Sequence, residues 1–313
     1  MSARKFAVFG AGGVGGYFAA LLTRAGYPVA LIARGRHLEA IRLDGLRIES
    51  PKDTFTVTPA QVTDHPKDVG PVDAVILAVK TWQVPEAALA MQPMLATTTK
   101  VLPLENGVEA PDQLEEILGR EHVLVGLCRL ISAVVVPGCI RHAGVDPMVA
   151  LGEPDGGSLT PNAKALADAL KAAGVAVQTP ADIHAALWDK MLFIAGVSGA
   201  GAVARATIGE LRQCPPTREL LRQLMEEVSA VARSRRIALP EDVIPRTLAF
   251  VDTLPATGTA SMQRDIADGK PSELEAIIGA AVRFGEQAGV PTPALRYVYA
   301  SLLPQEKRAR GTY

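Results

Sequence analysis

Apolar residues gather into short unbroken runs along the first half of the chain and into helix-spaced faces along the second. KFAVFG, PVALIAR, DAVILAVK and KVLPLE are nearly continuous apolar segments rich in β-branched residues, the pattern of strands covered on both faces. Between them GYFAALLTRAG and HLEAIRLDG carry helical spacing. Strands alternating with helices in this way predict a parallel sheet. Over residues 122–153 the pattern changes to strand-like pieces interrupted by Pro-Gly and Gly-Val, which predicts mixed or antiparallel strands at the far edge of that sheet. A helix over 161–173 and a strand in GVAVQTP complete this half.

Strand signal nearly vanishes after Asp182. Helices are predicted over 182–197, 217–235, 241–253, 261–268, 273–287 and 293–303, with Pro or Gly at the joints. SELE, starting at Ser272, has the spacing of a capping box, in which a glutamate three residues on returns to the first N–H. EKRARGTY reads as a frayed tail. The expected organisation is an α/β domain over residues 1–179 followed by an all-helical domain over 180–313. No internal repeat is visible.

Composition agrees with two domains, since 313 residues exceed one typical core and 48% hydrophobic content can fill two. Charge narrows the partners. With 32 Lys and Arg against 33 Asp and Glu, the chain has no global field to draw nucleic acid or an anionic membrane, so neither is expected. Cys128, Cys139 and Cys214 are odd in number and widely spaced, unlike a disulfide scaffold or a metal-ligand cluster. The longest apolar run, 191–204, falls short of the roughly 20 residues that span hydrocarbon. The opening MSARKFAVFG lacks a leader-cleavage pattern, and a reducing, cytoplasmic location is expected.

The first chemistry lies where strand one meets helix one. Gly10, Gly12 and Gly15 form G-x-G-x-x-G between them. The first glycine suits a tight turn, the second admits a pyrophosphate to the backbone, and the third allows close helix packing. The loop Gly10, Ala11, Gly12, Gly13, Val14 and Gly15 is therefore a candidate dinucleotide site. A strand ending in Asp or Glu would favour NAD, but the second strand ends in Arg34, followed by Gly35 and Arg36. An arginine pairs with a 2′-phosphate that a carboxylate would repel, so NADP(H) is the expected cofactor. The alternative is a solvated strand-end cation, with Arg36 or His37 capping the next helix. Lys80 and Asn106 end two further strands, where parallel sheets place ligands; Asn-Gly is also an ordinary turn pair.

In the helical half Lys190 shares a helix face with Ile194, Val197 and Ser198. A lysine with an apolar flank gives up its proton more readily, although its stem can equally pack while the amine reaches water. Glu273 falls in the first turn of a predicted helix, where free amides stabilise a carboxylate without any function. Ser261 can cap a helix or bind a carboxylate.

Together these segments resemble the ketopantoate reductase family (2-dehydropantoate 2-reductase). The resemblance runs from GAGGVGG through ARGRH, AVKT, ENG and WDK to SMQRDIADGKPSELE. It implies an N-terminal Rossmann-like dinucleotide-binding domain, a helical C-terminal domain, and reduction of 2-dehydropantoate to (R)-pantoate by NADPH, a step toward pantothenate and coenzyme A. By resemblance Lys190 is the general acid, Glu273 binds the substrate hydroxyl, Ser261 contacts the substrate carboxylate, and Asn106 serves substrate and cofactor. Arg34 would meet the NADP phosphate, and Lys80 would lie near the cofactor. The interdomain cleft would then be the active site.

Three positions depart from the family pattern. Asparagines are common one and two helical turns after the catalytic lysine; here those positions hold Ile194 and Ser198, and Ser198 alone keeps a hydrogen-bonding group for substrate. Glu105 replaces the usual glutamine before Asn-Gly. These departures leave open a paralogous NADP-dependent reductase of another, branched or larger 2-oxo acid, or a noncatalytic dinucleotide-binding protein. The apolar stripes of the helical half fit its own core and a homodimer interface alike.

Overall fold

The computed structural model describes residues 4–313; Met1–Ala3, the start of the stretch read for a leader, lie outside the described residues. The chain divides into two compact units. One holds the described chain up to Glu105 together with Ala110–Ile183, and the other holds Asn106–Glu109 with His184–Tyr313.

The first unit runs β1 (Phe6–Phe9), α1 (Gly13–Arg24), β2 (Val29–Ile32), α2 (Gly35–Asp44), β3 (Leu46–Glu49), β4 (Thr54–Val57), β5 (Gln61–Thr63), β6 (Val72–Leu77), α3 (Val84–Met91), β7 (Leu95–Pro103), α4 (Ala110–Leu118), β8 (Val125–Val136), β9 (Cys139–Gly152), α5 (Pro161–Ala172) and β10 (Ala176–Gln178). Five strands form a parallel sheet in the order β5-β2-β1-β6-β7. All four residues of β1 and of β2 are buried, which is why their sequences are continuously apolar. The chain builds outward from β1 on one side and then returns to β6 on the other. Their C-terminal ends consequently flank a topological switch point, the place where such sheets bind ligands.

The segment 122–153 does form an antiparallel pair, β8 with β9, but not at the far edge of the parallel sheet. It founds a second sheet, β10-β9-β3-β4, with β8 on β9. The partner that decides this is β3, which pairs parallel with β9 at Arg47, Ile48 and Glu49. Alternating burial in LRIE marks β3 as a one-sided strand, and periodicity carries no information about its partner. α1 supplies Phe18 and Leu22 to a core that also takes Val8 from the first sheet and Ile48, Ile140 and Val149 from the second. A buried ion pair braces the same unit. Lys100 Nζ on β7 donates to Glu153 Oε2 at 2.9 Å, and Thr160 donates to the other oxygen through its N–H at 2.9 Å and its hydroxyl at 2.8 Å. Burial pushes the Glu153 carboxyl up, but Lys100 and Thr160 outweigh it and hold it below the usual range.

The second unit contains α6 (Ile183–Ala204), α7 (Ile208–Gln213), α8 (Pro215–Ser234), α9 (Val243–Thr253), α10 (Ser261–Ala267), a π-helical stretch Glu275–Gly279 that runs into α11 (Ala280–Ala288), and α12 (Pro293–Ala309). α6 continues seven residues past its expected end at 197 because its glycines admit neighbours: a methyl on Gly199 would sit 3.2 Å from Ile278 and Leu224 and 3.3 Å from Val298. By length and composition α6 could cross a membrane, and 67% of its most apolar window is buried in the protein, as in a core helix. α7 was not expected; it starts at a capping box in which Thr207 N–H donates to Glu210 at 2.7 Å. The tail expected to fray from residue 306 is instead helical to Ala309.

Candidate active site

The glycine-rich loop leaves β1 at Gly10, whose φ of +103° places it in the region that favours glycine. A side chain there would stand 2.5 Å from the Ala78 carbonyl oxygen, and one on Gly15 would overlap the Gly10 carbonyl oxygen. Gly10 and Gly15 therefore let the turn and α1 close on the sheet. Gly12 is different. It is exposed and a side chain would meet nothing within 4 Å, so the backbone is approachable from outside. The first turn of α1 holds no acidic residue and no side-chain cap, which leaves its amides and positive dipole end to an anion. Ala11 is buried and Val14 half-buried. Gly13 serves the second sheet, because a side chain there would lie 2.5 Å from the Ser132 carbonyl oxygen on β8.

Arg34 is the N-cap of α2 at the end of β2. Its side chain is 59% exposed and lies 3.3 Å from Glu86, a solvent-screened pair that costs little to exchange for another anion. His37 does not cap α2. Its Nδ1 accepts from Gly138 N–H at 2.9 Å, joining the loop region to the β8–β9 turn, and burial pushes the imidazole below its usual range against an opposing bond to the Ala11 backbone. Lys80 follows β6 in an exposed position, its Nζ 5.8 Å from the centre of the Trp82 ring. Glu105 is buried after β7, with one oxygen accepting from Val79 N–H at 2.9 Å. Glu105 thus ties the ends of β6 and β7 together.

Asn106–Glu109 is stitched to the helical unit. Asn106 Nδ2 donates to Glu273 Oε2 at 2.9 Å. A side chain on Gly107, at φ +98°, would lie 2.8 Å from the Ala276 carbonyl oxygen, and Arg283 donates to both oxygens of Glu109 at 2.9 and 3.0 Å. Two of the residues singled out from sequence, Asn106 and Glu273, are in this way brought into direct contact. Glu273 is 6% exposed and sits one residue before the helix rather than in its first turn, its carbonyl accepting from Ile277 N–H at 3.0 Å. The π-helical stretch that follows is a rare, wide turn, a geometry frequent at functional sites.

The expected capping box at Ser272 does not close. Glu275 turns away to Tyr299, whose hydroxyl donates to it at 2.7 and 3.1 Å. Ser272 N–H is taken instead by the Glu306 carboxylate of α12, at 3.0 and 3.1 Å. Spacing alone identified the serine but could not foresee a competing acceptor from 34 residues away.

On α6, Lys190 is half-buried and makes no hydrogen bond or ion pair among the described residues. Its neighbours fix the helix. Trp188 packs on Phe284 of α11 with ring centres 6.1 Å apart, and Asp189 accepts from Arg246 of α9 at 2.9 Å. Ile194 is half-buried and Ser198 buried on the same helix. Ser261 is exposed as the first residue of α10; Ala260 occupies the N-cap, where its N–H donates to Gln263 at 3.3 Å. The Ser261 hydroxyl therefore caps nothing, and it makes no hydrogen bond to Asn106 or Glu273 among the described residues.

Residues 6–156 match the family described as ketopantoate reductase PanE/ApbA, and residues 182–306 match its C-terminal counterpart. The 2-dehydropantoate 2-reductase of Nostoc sp. is 30% identical over 306 residues, covering 96% of this chain and 95% of that protein. A crystal structure of a PanE/ApbA family ketopantoate reductase from Ralstonia eutropha JMP134 superposes with a TM-score of 0.90 at 34% identity, covering 98% of this chain and 100% of the other. D-mandelate dehydrogenase in complex with NADH superposes at 0.85 with 25% identity, covering 97% and 99%. Full-length matches of this kind, on the architecture described above, show that the chain belongs to the ketopantoate reductase family, a family of dinucleotide-binding oxidoreductases.

Proposed function

We propose that the protein reduces 2-dehydropantoate to (R)-pantoate with NADPH, the step toward pantothenate and coenzyme A that its family name implies, and that it does so in the cytoplasm. The observation that carries this reading is the 2.9 Å bond from Asn106 to Glu273. It joins an asparagine that comes shortly after β7 in the sequence to a buried carboxylate able to accept a substrate hydroxyl.

Gly12 and the free amides of α1 would hold a pyrophosphate, Arg34 a 2′-phosphate, and Lys80 would add positive charge at the same sheet edge. A bound nicotinamide dinucleotide supplies the hydride that reduces a ketone carbon. Lys190 donates a proton to the oxygen that becomes the alcohol, and its positive charge stabilises the alkoxide before that transfer. Glu273 accepts a hydrogen bond from the substrate hydroxyl while Asn106 fixes the carboxylate. Ser261, with its free hydroxyl, binds the substrate carboxylate, and Ser198 is the polar group two turns beyond the acid.

A second reading is reduction of a different, branched or larger 2-oxo acid. It is favoured by Ile194, an apolar side chain one turn after Lys190, and by the likeness to D-mandelate dehydrogenase, which was crystallised with NADH. Steady-state turnover of a 2-oxo acid panel with NADPH and with NADH separates the two. Efficient turnover of 2-dehydropantoate with NADPH is expected. Turnover of only a bulkier or aromatic 2-oxo acid would replace the substrate, and no hydride transfer to any of them would overturn the enzymatic reading.

A further inference from the structure

The residues on either side of Glu273 are held by one face of α12, with help from Arg283 of α11. Upstream, Ser272 is fully buried, and all three of its polar groups are engaged. Its N–H donates to Glu306 at 3.0 and 3.1 Å, its hydroxyl donates to Glu306 Oε2 at 2.5 Å, and its carbonyl accepts from Arg310 at 2.9 Å. Arg310 also donates to Glu306 at 2.6 Å, so the carboxylate, itself 3% exposed, is paired on both oxygens. Downstream, Tyr299 and Arg283 hold Glu275. Tyr299 and Glu306 lie seven residues apart and Arg310 follows at the helix C-cap, a spacing that places them on one helical stripe.

A buried carboxylate is costly to desolvate and is tolerated when its partners are complete. Here every partner of Glu306 belongs either to the backbone and hydroxyl next to Glu273 or to the arginine that grips the same residue. A core leucine would fill this space without that expense. We infer that Glu306, with Arg310, is a positioning device for Glu273: it fixes the backbone on which the active-site carboxylate is mounted, so that Asn106 and substrate meet it at a set point. The inference rests on the assignment of Glu273 to the substrate site.

The test is a double-mutant cycle on NADPH-driven turnover of the 2-oxo acid best reduced in the panel, with NADPH affinity and melting temperature measured for each variant. Glu306→Gln keeps the shape and removes the charge. It is expected to lower kcat by about 10- to 100-fold, the range for a small misplacement of a reacting group, and to leave NADPH affinity unchanged. In a Glu273→Gln background the same substitution should cost nothing further, because it acts through Glu273. Should Glu306→Gln fail to fold, Ser272→Ala removes a single donor and should lower kcat in the same way, with Ser272→Thr restoring it. Losses that add in the double mutant, or a lower melting temperature with kcat intact, would overturn the inference while leaving Glu273 in the site. A Glu273→Gln variant as active as the parent would overturn the site assignment and the inference with it.

Discussion

The glycine-rich loop and the Glu273 segment solve the same problem by opposite means. The loop is set by backbone: Gly10, Gly12 and Gly15 owe their positions to turns, close approach and an open amide end within six residues and the adjoining strand. The Glu273 segment is set by side chains that arrive from elsewhere, with Asn106 preceding it by 167 residues and Glu306 reaching Ser272 from 34 residues beyond. A site made of backbone is contiguous in sequence. A site made of side chains is dispersed, and each anchor is an ordinary Glu, Arg or Tyr until the fold is known.

Substitutions on each side should separate binding from chemistry. Lys190→Ala should have the largest effect, lowering kcat on the order of 10²- to 10⁴-fold as expected for loss of a general acid, with NADPH affinity by titration unmoved. A matching loss of affinity would transfer Lys190 to the cofactor side. Arg34→Ala should weaken NADPH by about 1.5–3 kcal/mol, the value of hydrogen bonds to a charged group, and leave NADH nearly untouched. Equal losses for the two dinucleotides would remove the phosphate role. Gly15→Ala forces a methyl into the Gly10 carbonyl and should cost about 1–3 kcal/mol of overpacking strain, read in urea unfolding together with weaker dinucleotide binding; unchanged stability would show the loop to be looser than its geometry.

The smallest effect belongs to Tyr299 and is visible only in alkali. Burial and the Glu275 carboxylate push its phenol up to about 12, against about 10 in an unfolded chain. The folded state holds this proton more tightly, so the contribution is complete below about pH 10 and is lost as pH rises through about 12. Tyr299→Phe should therefore flatten the fall in stability across that window relative to the parent. An identical alkaline limb in the two proteins would mean that the hydroxyl does not anchor Glu275.

The same contrast explains what could be read before the fold was known. β1, α1, β2 and β6 were legible because continuous burial imprints an unbroken apolar run, and the glycine loop because steric demand leaves few alternatives to glycine. The second sheet was not legible as such: β3 pairs with β9 across residues 50–138, and nothing in LRIE names its partner. Lys190, Ser261 and Glu273 stood out through family-like context. Glu306 and Arg310 did not, because a charged tail without apolar periodicity resembles solvated chain, while in the fold Glu306 and Arg310 face each other and Ser272. Ser261 has a side chain suited to a cap, but the N-cap falls on Ala260 and Ser261 is the first helical residue, which leaves its hydroxyl uncommitted to the helix end.

The contact between Gly13 and Ser132 also orders events in time. β1, α1 and β2 can meet through short loops, whereas the β8–β9 hairpin that abuts Gly13 must be brought back onto α1 from far along the chain. Closing so long a loop is slow compared with local docking. Refolding should thus pass through an interval in which the β1–α1–β2 unit is formed but its glycine loop is still uncovered. Dinucleotide-binding competence should return with the later, hairpin-docking phase rather than with the first burst of secondary structure.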